Sequence, residues 1–135
     1  MNTNYKFYKD HRFLVIDDDQ RLREQAIGVL IELGFSNTHI HSAENGVAAL
    51  ALLEKLEHDI EFFIIDLVMP QMNGIDFLSN LNKIEKYKNS PKLVLSSEID
   101  SNIILNAVSA GAQSYLNKPC ERVSLAKKLF ECVSK

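Results

Sequence analysis

Four stretches of the chain carry residue types that could act together on a phosphoryl group. They are Asp17-Asp18-Asp19, Asp66, Ser96-Ser97 and Lys118-Pro119. Clustered carboxylates repel, and each raises the proton affinity of the others. A hard divalent cation relieves that repulsion. Mg2+ prefers oxygen ligands, keeps several waters, and is typically held by one or two carboxylates plus phosphate oxygens. A carboxylate can also attack phosphorus and form an aspartyl phosphate. A lysine can neutralise charge on the phosphoryl oxygens, and a serine hydroxyl can donate a hydrogen bond to the same group. The stretches lie far apart in sequence, so this chemistry requires a fold that gathers them.

An open parallel sheet does so, because its ligands bind at the carboxyl ends of the strands. The hydrophobic pattern predicts such a sheet. A first strand spans Arg12 to Asp17, with Phe13, Leu14, Val15 and Ile16 consecutive, as suits a strand buried on both faces. Helical spacing follows at Leu22, Ala26, Val29, Leu30 and Leu33, with Gly34 as the stop. A second strand fits Thr38 to Ser42, and the next helix carries Val47, Leu50, Ala51 and Leu53. The third strand, Glu61 to Asp66, is apolar until its last residue. Asn73 caps a helix bearing Ile75, Leu78 and Leu81. Pro91 opens a fourth strand, Lys92 to Ser96, and Asp100 or Ser101 caps a helix that runs through Ala110 and ends at Gly111. A fifth strand spans Gln113 to Asn117, and a last helix carries Val123, Leu125, Ala126, Leu129 and Val133. Five β-α repeats predict an α/β fold, a (βα)5 doubly wound parallel sheet with helices on both faces. The strands then end in Asp17-Asp18-Asp19, Asp66, Ser96-Ser97 and Lys118-Pro119, all on one edge.

With 135 residues the chain is long enough for one domain and one core. Residues 1–11 read as a short arm and residues 12–135 as the domain. Lys and Arg total 15 against 18 Asp and Glu, a net charge of −3, and the basic residues are scattered, so no nucleic-acid-binding face is predicted. No apolar run is long enough to span a bilayer and the first residues lack a signal-peptide core, so a cytoplasmic protein is expected. Cys120 and Cys132 match no zinc or redox spacing and are expected as free thiols.

Three segments resemble the response-regulator receiver family of two-component signalling, the group that includes CheY: Phe-Leu-Val-Ile-Asp17-Asp18, Ile65-Asp66-Leu-Val-Met-Pro70-Gln-Met-Asn-Gly74, and Gly111-Ala-Gln-Ser-Tyr115-Leu-Asn-Lys118-Pro119. The resemblance runs from Phe13 to Val133 and implies a flavodoxin-like strand order, 2-1-3-4-5. It implies that Asp66 is the phospho-acceptor and that Lys118 pairs with Asp66 or its phosphate. Asp17, Asp18, Asp66 and the Val68 carbonyl would hold Mg2+. Ser96 would be the switch hydroxyl and Tyr115 the switch aromatic, moving inward when Ser96 moves. A cis Lys118-Pro119 bond is also implied. The phosphodonor would be a histidine kinase or phosphotransfer protein, and the protein would not be a turnover enzyme. Output would pass through the face built from helix four, strand five and helix five, to a protein partner or an effector domain, and a phosphorylation-dependent homodimer fits the same scheme.

Several positions depart from common family choices. Ser96 replaces the more frequent threonine and keeps the hydroxyl. Cys120 replaces a bulky apolar residue and is expected as a small buried hydrophobe. Val68 has no polar side chain to orient an attacking water, whereas Glu98 has one.

Other features have plainer readings. Asp19 reads as a cap for the first helix. His39 and His41 should share one face of the second strand, as surface residues. Lys83, Lys86, Lys88 and Lys92 should form a solvated rim. Two alternative readings fit parts of the sequence. One is a receiver-like binding module independent of phosphorylation. The other is a haloacid-dehalogenase-like phosphatase with Asp17 as nucleophile and Asp19 as general acid, although Arg21 stands where that motif expects a small hydroxyl or valine.

Overall fold

A computed structural model describes residues 11–67, 72–97, 101–118 and 121–133, with residues 132 and 133 described by backbone alone. The elements run β1 (Phe13–Ile16), α1 (Gln20–Glu32), β2 (Ile40–Ala43), α2 (Gly46–Lys55), β3 (Phe62–Asp66), α3 (Gly74–Asn82), β4 (Lys92–Ser96), α4 (Ser101–Ser109), β5 (Ser114–Asn117) and α5 (Arg122–Val133). The five strands form one parallel sheet in the order β2-β1-β3-β4-β5, as the resemblance implied.

Successive side chains on a strand point to opposite faces, and both faces of this sheet are covered. Phe13, Val15, Phe62, Ile64, Leu93 and Leu95 face α1 and α5, where they meet Ala26, Val29, Leu30, Leu125 and Leu129. Leu14, Ile16, Phe63, Ile65 and Val94 face the other way, against Ala49, Leu53, Phe77, Leu78, Leu81 and Ala107 of α2, α3 and α4. That two-sided burial explains the unbroken apolar runs. Truncating Phe62 or Phe63 to alanine would cost about 3–5 kcal/mol.

Local signals set the helix limits. Asp19, Asn45 and Asn73 cap α1, α2 and α3, accepting from the backbone N–H of Arg21, Ala48 and Asp76 at 2.9, 2.8 and 2.9 Å. Each such cap is worth about 1 kcal/mol. Gly34 and Gly111 follow α1 and α4 with φ of 106° and 115°, the left-handed conformation that lets the chain leave a helix.

Four expectations need correction. First, β2 begins at Ile40, because Asn37–His39 form a 3-10 turn. The Ser36 hydroxyl accepts from Thr38 N at 3.3 Å and competes with strand pairing there. His39 therefore lies outside the strand and shares no strand face with His41. Second, Val47 and Ala51 lie on the solvent side of α2, and Val123 of α5 is 75% exposed. Third, Ser101 is the first residue of α4, not its cap. Fourth, Lys92 is fully buried at 0% exposure. Its Nζ donates to the carbonyls of Tyr87, Ser90 and Lys88 at 2.7, 2.7 and 3.3 Å. The expectations on residues 1–10, Val68, Glu98, Asp100, Pro119 and Cys120 lie outside the described residues, as do the side chains of Cys132 and Val133. Among the described residues no helix is long and apolar enough to cross a membrane.

Candidate functional site

The carboxyl ends of the strands bring the predicted residues together. Asp17 follows β1, Asp66 ends β3, Ser96 ends β4 and Lys118 follows β5. Asp17, Asp66 and Ser96 are buried while Asp18 is exposed, so the cluster opens to solvent on one side. Backbone bonds beyond the strand ends hold the edge in register. Asp17 N donates to Ala43 O at 3.1 Å, Leu67 N to Leu95 O at 2.9 Å and Lys118 N to Ser96 O at 2.9 Å.

The Lys118 ammonium lies between two acids, 2.9 Å from Asp17 Oδ2 and 3.4 Å from Asp66 Oδ1, with only 12% of its side chain exposed. Burial draws its pKa down, but the hydrogen bond and charge of Asp17, with those of Asp66, outweigh this and the net shift is upward. Lys118 is therefore a cation at neutral pH. One oxygen each from Asp17, Asp18 and Asp66 lies within 4.8 Å of the others. Three carboxylates against one ammonium leave the cluster formally at −2. An all-oxygen, anionic donor set of this kind fits a hard cation such as Mg2+.

α3 places a constraint on Asp66. A Cβ on Gly74 would come within 2.5 Å of Asp66 O and 2.6 Å of Leu67 Cα. Only glycine lets the first turn of α3 approach the end of β3 so closely. Gly74 N donates to Leu67 O at 2.9 Å and ties the two segments together.

Asp19 is engaged as a cap, as expected, and its own N–H donates to Asp17 Oδ1 at 3.0 Å. Tyr115 does not reach the cluster. It sits on β5, exposed, with Lys128 Nζ 5.8 Å from its ring centre. It borders a cleft of about 260 Å3 with Ile104, Val108 and Glu131. His41 is drawn below the usual histidine pKa by burial, then by Arg12 and His39, and lies at the β2 edge, away from the acids.

One residue at this edge has no counterpart in the sequence reading. Arg23 Nη1, from the second turn of α1, donates to the backbone carbonyl of Asp17 at 2.6 Å. No local pattern marks it, since an arginine on an amphipathic helix is ordinary. Its reach back over the loop depends on how Asp19 starts the helix.

Comparisons with known proteins bear on the family and the fold. The sequence model of the response regulator receiver domain matches residues 13–130. Chemotaxis protein CheY-3 of Vibrio cholerae is 36% identical over 121 residues, covering 90% of both chains. A chemotaxis protein CheY homolog of Campylobacter jejuni is 32% identical over 118 residues, covering 87% of this chain and 88% of its own. Among solved structures, the Vibrio cholerae chemotaxis protein CheY4 superimposes with a TM-score of 0.82 at 27% identity, covering 90% of this chain and 98% of its own.

Proposed function

The chain belongs to the response regulator receiver domain family, and from that premise we propose that Asp66 accepts a phosphoryl group in a Mg2+-dependent reaction. The observation that carries this reading is the placement of Lys118 Nζ between Asp17 and Asp66 at the rim of a three-carboxylate cluster. Family membership implies a histidine kinase as phosphodonor.

The carboxylate of Asp66 attacks phosphorus in line. The bond from phosphorus to the donor breaks as the acyl phosphate bond forms, and the donor leaves with the electron pair. The Lys118 ammonium stabilises negative charge on the equatorial oxygens, a matter of position and electrostatics. Asp17, Asp18 and Asp66, with the carbonyl of Val68, would hold Mg2+, which when bound neutralises charge on the phosphoryl oxygens. Ser96 then donates its hydroxyl to the phosphate. Tyr115 follows inward from its exposed position. Because the phosphate interacts with Ser96 and Lys118 in one arrangement more than in the other, it shifts the population. The α4-β5-α5 face changes shape, and a protein partner reads it. The phosphoryl group is lost slowly by hydrolysis, so the domain is a switch and not a turnover catalyst.

The test is incubation with acetyl phosphate and Mg2+ followed by intact mass. One phosphoryl adduct is expected, absent with a chelator and absent in Asp66→Ala. No adduct on the wild-type chain, or an adduct that survives Asp66→Ala, overturns the reading.

A further inference from the structure

Asp17 and Asp18 must present their carboxylates in fixed positions, yet Asp18 is exposed and its side chain gains little from packing. Control has to come through the backbone. The carbonyl of Asp17 belongs to the peptide unit that joins the two residues. That unit is planar from the Cα of Asp17 to the Cα of Asp18. Whatever holds its oxygen therefore constrains the plane that carries both Cα atoms, from which the two side chains depart.

Arg23 holds that oxygen, at 2.6 Å. The arginine is itself anchored: it lies on α1, its N–H donates to Asp19 O at 3.0 Å, and its side chain is half-buried. The other polar atoms of Asp17 are engaged as well. Its N–H donates to Ala43 O at 3.1 Å, Oδ1 accepts from Asp19 N at 3.0 Å and Oδ2 meets Lys118 Nζ at 2.9 Å. The N–H and Oδ2 bonds act on Asp17 itself, and the Oδ1 bond ties Asp17 to Asp19 across Asp18. The Arg23 bond is the one that acts on the peptide shared with Asp18.

We propose that Arg23 is a positioning residue for the cation site, holding the Asp17–Asp18 peptide so that both carboxylates face the cluster at once. The proposal rests on the Mg2+ reading above. It is distinct from a simple charge effect, because the two predict opposite signs. A guanidinium beside an acidic cluster repels a divalent cation, so removing its charge alone should tighten Mg2+ binding. Removing a positioning bond should loosen it. Losing an outer partner of a ligand typically weakens metal affinity by about 10-fold to 100-fold.

The experiment is calorimetric titration of Mg2+ into the wild-type chain, Arg23→Met and Arg23→Lys, with thermal melts of the metal-free proteins alongside. Methionine keeps much of the apolar stem and removes every donor. Lysine keeps the charge but replaces the planar fork with a point donor. Arg23→Met is expected to weaken Mg2+ binding about tenfold, with Arg23→Lys in between. The rate of phosphoryl acceptance at saturating Mg2+ should stay within about twofold of wild type, so that the loss lies in the Mg2+ dependence. Equal or tighter Mg2+ binding by Arg23→Met overturns the proposal, as does a lowered melting temperature with no change in Mg2+ affinity. Should Arg23→Met fail to melt cooperatively, Arg23→Lys decides by the same criterion. A wild-type chain that binds no Mg2+ overturns the underlying metal reading and this inference with it.

Discussion

Two lysines are withdrawn from solvent at opposite ends of the same sheet, and their partners differ in kind. Lys118 stands past the carboxyl end of β5 between two carboxylates. Lys92 opens β4 at the other end and donates to three neutral carbonyls. Burial draws both pKa values down. At Lys118 the full charges of Asp17 and Asp66 reverse the effect. At Lys92 burial prevails and the value falls from 10.5 to about 8. Three acceptors match the three donors of an ammonium, so Lys92 still suits the charged form at neutral pH. Similar side chains thus serve different ends. Lys92 closes off carbonyls of the 84–91 turn, whereas Lys118 holds two carboxylates of an anionic cluster together.

Removing each lysine should separate the two roles most clearly. Lys118→Met is expected to slow phosphoryl acceptance from acetyl phosphate by about 10²-fold, followed by intact mass against time. Lys92→Met should leave that rate unchanged. A large rate loss in Lys92→Met would break the comparison, because it would tie the lower edge to the chemistry.

Gly74→Ala probes the upper end from the backbone side. The added methyl meets Asp66 O and Leu67 Cα, both backbone atoms that cannot swing aside. A loss of about 3 kcal/mol is expected from urea unfolding, with slower phosphoryl acceptance because the end of β3 must shift.

Lys92→Met should show its effect in stability, by about 2 kcal/mol in the same assay, since three carbonyls lose their donor and the site has little room for water. The alternative, that an apolar side chain is tolerated or even stabilising in place of a buried charge, would appear as no loss or a gain.

The smallest effect is a pair of pH slopes of opposite sign. For Lys92 the folded pKa is near 8 and the unfolded value is 10.5. Between them the unfolded chain binds more protons, so the Lys92 contribution to stability rises with pH from about 8 to 10.5. It is lost as pH falls through about 8. For Lys118 the folded pKa is raised. Its contribution is complete below the ordinary lysine value and is lost as pH climbs through the higher folded one. Comparing wild type with Lys92→Met and Lys118→Met across alkaline pH should resolve the two signs.

The strands and the site residues were legible for a common reason. Phe13 to Ile16 and Phe62 to Ile65 are apolar without interruption because both faces of the sheet are covered. The polarity change at Asp17 and Asp66 marks where each strand reaches solvent. Asn73 and Asp19 announced helix starts because capping is a local bond, made within three residues. Lys92 was misread as a rim residue, since nothing nearby in sequence shows that β3 and the 84–91 turn close over it. Val123 was misread for the opposite reason: its spacing fits the apolar stripe of α5, but the helix turns that position away from the sheet.

The sequence by itself determined the alternation of strands and helices, and with it the edge on which Asp17, Asp18, Asp66, Ser96 and Lys118 would meet. Periodicity and capping are local properties, so they survive without knowledge of the fold. Only the tertiary structure decided which charge faces which. Lys118 pairs with Asp17 more closely than with Asp66, Arg23 reaches the Asp17 carbonyl, and Lys92 is buried under carbonyls instead of lying in water. Each of these depends on segments brought together by strand order and helix packing, at distances of a few ångströms that no local pattern encodes.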